Sequence, residues 1–237
     1  MPLISRANER ANDSSASTEI IIAALNEELG ICPTINELLE SLPSTHVLVV
    51  DGHSGDRTVE VAKNCGAEIV FQDGLGKGDA LSKALKVVDL DGKYVVFTDA
   101  DYTYPGWFVP EMIKIMEENE EVGMVCGNRF GGDMDGEAFV GSFVFGNKVL
   151  AFAHRLLNGV ALQDPLTGLR VVRGEVLKDW FVKSKGFDVE IELNRFVARK
   201  GFKIVEIPIS YRKRLGEKKL KFKDGVVILR RILLGTV

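Results

Sequence analysis

The stretch Lys93-Tyr94-Val95-Val96-Phe97-Thr98-Asp99-Ala100-Asp101 decides the fold of this 237-residue chain. Its apolar part has strand length, which predicts a strand buried on both faces, and two carboxylates follow where that strand ends. Carboxylates this close repel each other at neutral pH unless they share a proton or bind a cation. Because Mg²⁺ and Mn²⁺ prefer oxygen ligands and bridge carboxylates to substrate phosphates, the pair indicates a metal–diphosphate site. A solvated loop that carries two acids is the open alternative.

Short apolar runs followed by helical patterns occur three times before this stretch, at residues 19–25, 46–50 and 67–71. Strands that alternate with helices predict an α/β fold with a mainly parallel sheet flanked by helices. Ligands of such sheets collect at the carboxyl ends of the strands. Four residues fall at or just beyond those ends, and we expect them to share one crevice: Asp51, Lys77, Asp99 and Asp101.

The second half of the chain predicts further strands at residues 122–126, 166–172 and 202–209, and a helix at 189–199. The aromatic run 139–157 predicts a helix whose Phe and Leu stripe faces the core. We expect a flexible polar leader over residues 1–17 and a single domain over 18–237. Within that domain, residues 211–237 form a basic amphipathic segment, which can lie on a membrane surface or pack as a last helix.

Composition narrows the function classes. The net charge of -4 gives no reason to expect a nucleic-acid partner. Cys32, Cys65 and Cys126 lack metal-ligand spacing, and their odd number argues against a disulfide framework, as expected for a reducing cytosol. No run approaches the roughly 20 apolar residues of a membrane span, and a signal-peptide core is missing. We therefore expect a cytoplasmic protein that is soluble or peripheral to a membrane.

Lys77 lies between two glycines, in Gly76-Lys77-Gly78. The spacing of a Walker NTP-binding loop is missing, because Asp79 stands where that motif needs a hydroxyl. The first strand also lacks a G-x-G-x-x-G turn, which argues against dinucleotide binding. Lys77 is therefore expected to pair with a ligand phosphate or an acid, and an exposed lysine at a helix start is the alternative.

Seven motifs occur in the order of a known family. Together they resemble family 2 of the inverting glycosyltransferases, and within it most closely the dolichol-phosphate mannose synthase branch. The motifs are Ala24-Leu25-Asn26-Glu27-Glu28, Asp51-Gly-His-Ser54-Gly-Asp56-Arg-Thr58, Gly76-Lys77-Gly78, Asp99-Ala100-Asp101, Gly127-Asn128-Arg129, Asp164-Pro-Leu-Thr-Gly168-Leu-Arg170 and Gly186-Phe187-Asp-Val-Glu190-Ile-Glu192-Leu193.

The resemblance implies a GT-A fold with a Rossmann-like core, a nucleotide-sugar donor and a divalent cation, Mg²⁺ or Mn²⁺. Asp99 and Asp101 would hold the metal, and Asp101 would also count among the catalytic residues. The other catalytic residues would be Arg129 and Arg170, facing an acceptor phosphate, and Glu192, orienting the acceptor. The donor would be bound by Ala24, Leu25, Glu27, Asp51, Lys77, Asp99, Ala100, Arg212, Arg214 and Lys219.

The implied reaction moves a hexose to dolichyl or polyprenyl phosphate, with GDP-mannose favoured as donor and UDP-glucose next. The enzyme would work at the cytoplasmic face of a membrane, by peripheral contact or through an anchoring partner. Three alternatives stay open: a soluble or glycan acceptor, a non-catalytic nucleotide-sugar-binding module and a nucleotidyltransferase, although the Gly-rich signature of the last is absent. The chain departs from the family pattern at Gly52, Thr103 and Lys218.

Overall fold

The computed structural model describes residues 18–91, 94–133, 141–219 and 222–235. Seven strands of this part form one sheet in the order β3-β2-β1-β4-β6-β5-β7. β6 runs antiparallel to both of its neighbours, and the other pairs are parallel. The predicted mainly parallel α/β sheet is therefore confirmed. The strands are β1 (Thr18–Ala24), β2 (His46–Asp51), β3 (Glu68–Phe71), β4 (Tyr94–Asp99), β5 (Val122–Asn128), β6 (Arg170–Arg173) and β7 (Lys203–Pro208).

Helices cover both faces of the sheet. Along β1, Ile20 and Ile22 face one core together with α1 and α4, whereas Ile21 faces a second core with α3 and α7. A strand buried on both sides must be apolar throughout, which is why these strands lack polar alternation. The helices are α1 (Ile31–Ser41), α2 (Thr58–Asn64), α3 (Lys77–Ala84), α4 (Val109–Glu118), α5 (Gly141–Asn158), α6 (Gly174–Leu177), α7 (Val189–Arg199) and α8 (Phe222–Leu234).

The structure confirms one predicted element and shortens another. The helix expected at 189–199 is confirmed as α7, but β6 spans only four residues, because the chain before it turns around the buried side chain of Arg170. The leader expected over residues 1–17 lies outside the described residues. No helix within the described ranges is both long enough and apolar enough to cross a membrane.

Two cysteines form a disulfide, so the expectation that argued against disulfides was wrong. Cys32 on α1 bonds to Cys65, which follows α2, with their Cα atoms 5.8 Å apart. An odd number of cysteines excludes only complete pairing, and the packing of α1 on α2 brings these two within bonding reach. Cys126 remains a buried free thiol, and burial raises its pKa to about 12.

Helices α5 and α8 pack against each other and on α7. Ile228 and Ile232 of α8 join Ile191 of α7 in a small core of their own. The prediction that the aromatic stripe of α5 faces inward was wrong, because Phe145 and Phe152 are about two-thirds exposed, at 70% and 68%. The buried side of α5 carries Asn147 and His154 beside Ala151, so two of its three most buried side chains are polar.

Candidate active site

The carboxyl ends of β1, β2 and β4 meet at one rim of the sheet. The pairing register places Ala24 beside Asp51, and Ala23 beside Asp99. Asp51 is fully buried and accepts hydrogen bonds from the backbone N–H and the hydroxyl of Ser54, at 2.8 and 2.5 Å. The turn after β2 is thereby fixed at the rim.

The turns after β1 and β2 are bonded to each other. The backbone N–H of Asn26 donates to the Ser54 hydroxyl at 2.8 Å, and Gly55 N–H donates to the Asn26 side chain at 2.7 Å. Asn26 and His53 adopt left-handed backbone conformations, with φ of 50° and 63°. These hydrogen bonds join the two turns into one wall, and it contains four of the residues predicted to bind the donor, Ala24, Leu25, Glu27 and Asp51.

Close backbone contact holds this wall against the acidic pair. A Cβ on Gly30 would lie 2.6 Å from the carbonyl oxygen of Ala100 and 2.8 Å from the Cα of Asp101. Only glycine allows the turn before α1 to approach so closely. The position of Asp101 therefore depends on Gly30 as well as on β4.

Lys77 pairs with two acids at the start of α3. Its Nζ lies 2.6 Å from Asp99 and 2.7 Å from Glu190, the latter on α7. Burial alone would raise the pKa of Asp99, but Lys77, together with the charges of Arg129 and Arg214, outweighs it and holds that pKa below its ordinary value. The alternative of an exposed lysine is thus excluded, and Lys77 neutralises the first acid of the pair.

Asp101 and Glu27 share a second cation. Arg214 donates to Glu27 at 2.7 Å, and its other terminal nitrogen lies 3.4 Å from Asp101. Burial, with a further contribution from Asp101, raises the pKa of Glu27 to about 7 despite this arginine. Burial and the charge of Asp99 likewise raise the pKa of Asp101. The Lys219 Nζ lies 3.9 Å from Glu27, so two acids and two cations share this half of the recess.

The segment 211–219 crosses the rim and carries Arg214 into it. The N–H groups of Arg212 and Leu215 donate to the carbonyl oxygens of Thr103 and Asp101, at 3.1 and 3.0 Å. Arg212 also pairs with Glu37 at 2.6 Å, and its guanidinium lies over the rings of Tyr102 and Trp107, as given by centroid distances of 4.2 and 4.5 Å. Lys219 donates to the Asn26 carbonyl at 3.0 Å. Arg214 and Lys219 therefore contact the wall formed by the turns after β1 and β2, whereas Arg212 is held by Glu37 and the two rings.

The two arginines predicted to face an acceptor are buried and paired. Arg129 forms a two-pronged ion pair with Asp164, each contact 2.6 Å long. Arg170 donates to the carbonyl oxygens of Thr167 and Pro165, at 2.9 and 2.8 Å, and to the side chain of Asn194. Arg170 thus stabilises the turn at residues 165–167 through hydrogen bonds to its backbone.

Glu192 lies on the opposite side of α7 from the acidic pair. Its carboxylate accepts hydrogen bonds from the backbone N–H groups of Lys183 and Ser184, at 2.8 and 2.7 Å, and from the Trp180 indole at 3.3 Å. Glu190, two positions earlier, is the acid of α7 that reaches Lys77. Residues two apart on a helix point in nearly opposite directions, so only one of them can face the rim.

The acidic recess fits a divalent cation. Asp99 and Asp101 would supply carboxylate oxygens, and the buried Oε2 of Glu27 has no hydrogen-bond partner. Among the described residues, no three His, Cys, Asp or Glu side chains are grouped to hold a metal alone. Mg²⁺ and Mn²⁺ commonly complete their coordination with substrate phosphates and water, which suits a site with two carboxylates.

Three site residues were not singled out from the sequence: Glu190, Glu37 and Asp164. Each neutralises a predicted cation, namely Lys77, Arg212 and Arg129, respectively. Glu190 and Asp164 belong to recognisable motifs, so a signal for them existed. Glu37 sits in the amphipathic helix α1, where an acid carries no distinguishing pattern.

Comparisons with known proteins identify the family and the fold. Residues 19–181 match the sequence profile of the family "Glycosyl transferase family 2". A dolichyl-phosphate hexose transferase of Haloferax volcanii is 32% identical over 213 residues, covering 88% of this chain and 89% of that protein. An undecaprenyl-phosphate mannosyltransferase of Micrococcus luteus is 29% identical, covering 87% and 88%. Glycosyltransferase AglJ of Haloferax volcanii is 31% identical, but this chain spans only 62% of its length.

Among solved structures, glucosyl-3-phosphoglycerate synthase from Mycobacterium tuberculosis, in complex with Mn²⁺, UDP and glucosyl-3-phosphoglycerate, superposes with a TM-score of 0.70. The match covers 92% of this chain and 77% of that one, at 22% identity. At this identity the likeness shows a shared fold, the GT-A fold expected above, and carries no information about the acceptor.

Proposed function

The chain belongs to glycosyl transferase family 2, and from this premise we propose that it transfers a hexose from a nucleoside diphosphate sugar to a polyprenyl phosphate. GDP-mannose is the favoured donor, with UDP-glucose next. The observation that carries the proposal is the recess in which Asp99, Asp101 and Glu27 face Lys77 and Arg214. Such a recess suits a diphosphate bound together with a divalent cation.

The charged residues of the recess indicate how the donor diphosphate would be bound. Asp99 and Asp101 would hold Mg²⁺ or Mn²⁺, which when bound neutralises charge on the diphosphate leaving group. Arg214 and Lys219 lie beside the same recess and can stabilise that charge as well. Arg212 would have to leave Glu37 to do so. If Arg214 turns toward an incoming phosphate, Lys219, 3.9 Å from Glu27, remains as a counter-charge.

The acceptor half follows from chemistry and from the relatives. A phosphate acceptor is already anionic at neutral pH, so it needs no strong base to become a nucleophile. Two relatives that match most of this chain carry names that specify dolichyl-phosphate and undecaprenyl-phosphate transfer. Arg129 is the predicted acceptor contact, and Asp164 would have to share it with the phosphate.

A transfer assay tests the proposal. The protein is incubated with Mn²⁺ and radiolabelled GDP-mannose or UDP-glucose, with and without dolichyl phosphate, and label is followed into the organic phase. We expect lipid labelling that requires both the metal and the acceptor, and that is lost in Asp101→Asn. Asp91→Asn is the matched control, because Asp91 precedes β4 at the amino ends of the strands, and its ion pair among the described residues is with the exposed Lys178.

Two results would contradict transfer to a polyprenyl phosphate. Label that appears only on a soluble acceptor would assign the family 2 activity to the alternative substrate class. Donor binding without transfer to any acceptor would indicate a nucleotide-sugar-binding module instead.

A further inference from the structure

A cleft of about 360 Å³ lies on the side of α7 that faces away from the acidic pair. Glu192, Arg195 and Arg199 follow one another at spacings of three and four residues, so they line the cleft from one face of the helix. The segment 179–183, which follows α6, contributes to the rest of the lining. Arg199 lies about 14 Å along the helix from Glu190, the acid of α7 that reaches Lys77. The cleft is therefore separate from the donor recess.

Aromatic side chains give this cleft an apolar wall. The rings of Trp180 and Phe196 lie against each other, with their centroids 6.3 Å apart, and both line the cleft. Phe181, also in the lining, is 82% exposed, which is unusual for so large an apolar side chain. Pockets for small organic molecules combine such apolar walls with a few charged or polar groups. The wall suits a ligand with a planar apolar body.

Two arginines of the cleft lack an acid. The Nη1 atom of Arg195 is buried and has no hydrogen-bond partner, and within the described ranges neither Arg195 nor Arg199 forms an ion pair. Burial, together with the charges of Arg199 and Arg231, lowers the pKa of Arg195 below its ordinary value. Like charges four residues apart destabilise a helix, so this arrangement costs stability in the protein alone. The arginines thus present positive charge that the chain does not neutralise.

The acids that line the cleft have other partners. Asp179 pairs with Lys200. Glu192 accepts hydrogen bonds from two backbone N–H groups and from a serine hydroxyl, at 2.8, 2.7 and 2.5 Å. Arg231 lies 3.8 Å from Glu192 but is bound more closely by Asp188, at 2.7 Å. A counter-charge for Arg195 and Arg199 would therefore have to come from a bound anion.

We propose that this cleft is a second ligand site, which binds a small aromatic phosphate ester. Its phosphate group would contact the guanidinium groups of Arg195 and Arg199, and its ring would pack against Trp180 and Phe196. Guanidinium groups bind phosphate through two parallel hydrogen bonds, and the charge of a phosphate dianion matches that of two arginines. The proposal goes beyond sugar transfer, because the residues that form the donor recess are not part of the cleft's lining.

Tryptophan fluorescence tests the proposal at the cleft itself. The chain contains two tryptophans, so Trp107→Phe leaves Trp180, in the wall of the cleft, as the only one. Phenyl phosphate is titrated into the full chain with this substitution, in the presence of a chelator that keeps metal from the donor recess. We expect a saturable change in Trp180 emission. Inorganic phosphate and phenol each lack one half of the ligand and should bind about tenfold more weakly or less.

Further substitutions in the same protein assign the contacts. Arg195→Gln and Arg199→Gln should each weaken binding of phenyl phosphate about tenfold or more, because each removes a charged hydrogen-bond donor. Lys114→Gln removes an exposed lysine of α4 and should have no effect. Arg214→Gln removes a cation of the donor recess and should likewise leave this affinity unchanged. Arg195→Gln should unfold at no lower a temperature than its parent, since the lost charge has like neighbours and no acid partner.

Three results would overturn the proposal. The first is a Trp180 emission that does not change, or an affinity that Arg195→Gln/Arg199→Gln leaves unaltered. The second is a loss of affinity in Arg214→Gln as large as in Arg195→Gln, which would place phenyl phosphate in the donor recess. The third is tighter binding of citronellyl phosphate, in which a branched alkyl chain replaces the ring, because it would assign the cleft to a prenyl phosphate. Since the titration uses neither sugar donor nor metal, its failure would leave the proposed function untouched.

Discussion

Replacing Lys77 by methionine tests the electrostatics of the acidic recess. Lys77 is the cation between Asp99 and Glu190, at 2.6 and 2.7 Å, and its own side chain is only 11% exposed. Lys77→Met keeps the four-atom stem of the side chain and removes the ammonium group. Asp99 and Glu190 would then face each other without the cation that now lies between them.

The expected cost follows from burial. Removing one partner of a buried ion pair lowers the free energy of unfolding by about 3–5 kcal/mol. We expect the lower value, about 3 kcal/mol, because the Asp99 side chain is 32% exposed. For a chain of this size, that lowers the unfolding temperature by about 6–12 °C. Lys83→Met is the matched control on the same helix, since Lys83 pairs with the exposed Asp73 and should cost at most about 1 kcal/mol.

The pH dependence has a definite sign. In the wild type, Lys77 holds the pKa of Asp99 low, so that stabilisation is present above the unfolded pKa and is lost in acid. In Lys77→Met, burial is opposed only by the charges of Arg129 and Arg214, so the pKa of Asp99 should rise. The deficit is then greatest at neutral pH and shrinks as protonation removes the charge. Thermal unfolding followed by circular dichroism at pH 7.5 and 5.0 measures both effects. The reasoning would be refuted if Lys77→Met unfolded at the same temperature as Lys83→Met at pH 7.5. It would also be refuted if the difference in unfolding temperature between Lys77→Met and the wild type grew in acid.

Three further predictions concern other parts of the molecule. Cys65→Ser should lower the free energy of unfolding by about 3–4 kcal/mol in denaturant titrations, as expected for opening a 33-residue loop, and reductant should have the same effect on the wild type. Gly30→Ala should displace Asp101, lower the free energy of unfolding by about 1–3 kcal/mol and reduce transfer activity. Gly146→Ala in α5, where a Cβ meets open space, should change neither stability nor activity. Burial lowers the pKa of His46, but Glu19 and Glu68 outweigh burial and raise it, so His46 stabilises most below pH 6.5. Between pH 6 and 8.5 the wild type should lose up to about 1 kcal/mol more than His46→Gln, because the loss caused by the raised pKa of Glu27 is common to both.

Local pattern was sufficient to predict much of the fold. The strands that end at Asp51 and Asp99 are short apolar runs followed by turn residues, and their parallel pairing follows from alternation with helices. The convergence of Asp51, Lys77, Asp99 and Asp101 at one rim follows in turn, because parallel strands present their carboxyl ends on the same side.

Long-range choices were not predictable from local pattern. Arg214 lies 187 positions from Glu27 in sequence, and nothing local indicates which acid it selects. The spacing of Glu190 and Glu192 shows that only one can face the rim, but the rotation of α7 in its packing decides which. An amphipathic pattern in α5 likewise reveals an apolar side without indicating whether protein or another phase covers it.

Metal-dependent binding of a nucleoside diphosphate tests the central claim most directly. Isothermal titration of GDP and UDP into the protein, with Mn²⁺ and with chelator, compares the wild type with Asp101→Asn, which keeps an oxygen that can accept the Thr103 hydrogen bonds. If the recess at the ends of β1, β2 and β4 is the metal–diphosphate site, at least one nucleotide will bind the wild type much more tightly with Mn²⁺, and Asp101→Asn will lose that gain while Asp91→Asn retains it. Equal affinity with Mn²⁺ and with chelator, or an unchanged Mn²⁺ effect in Asp101→Asn, would contradict the account.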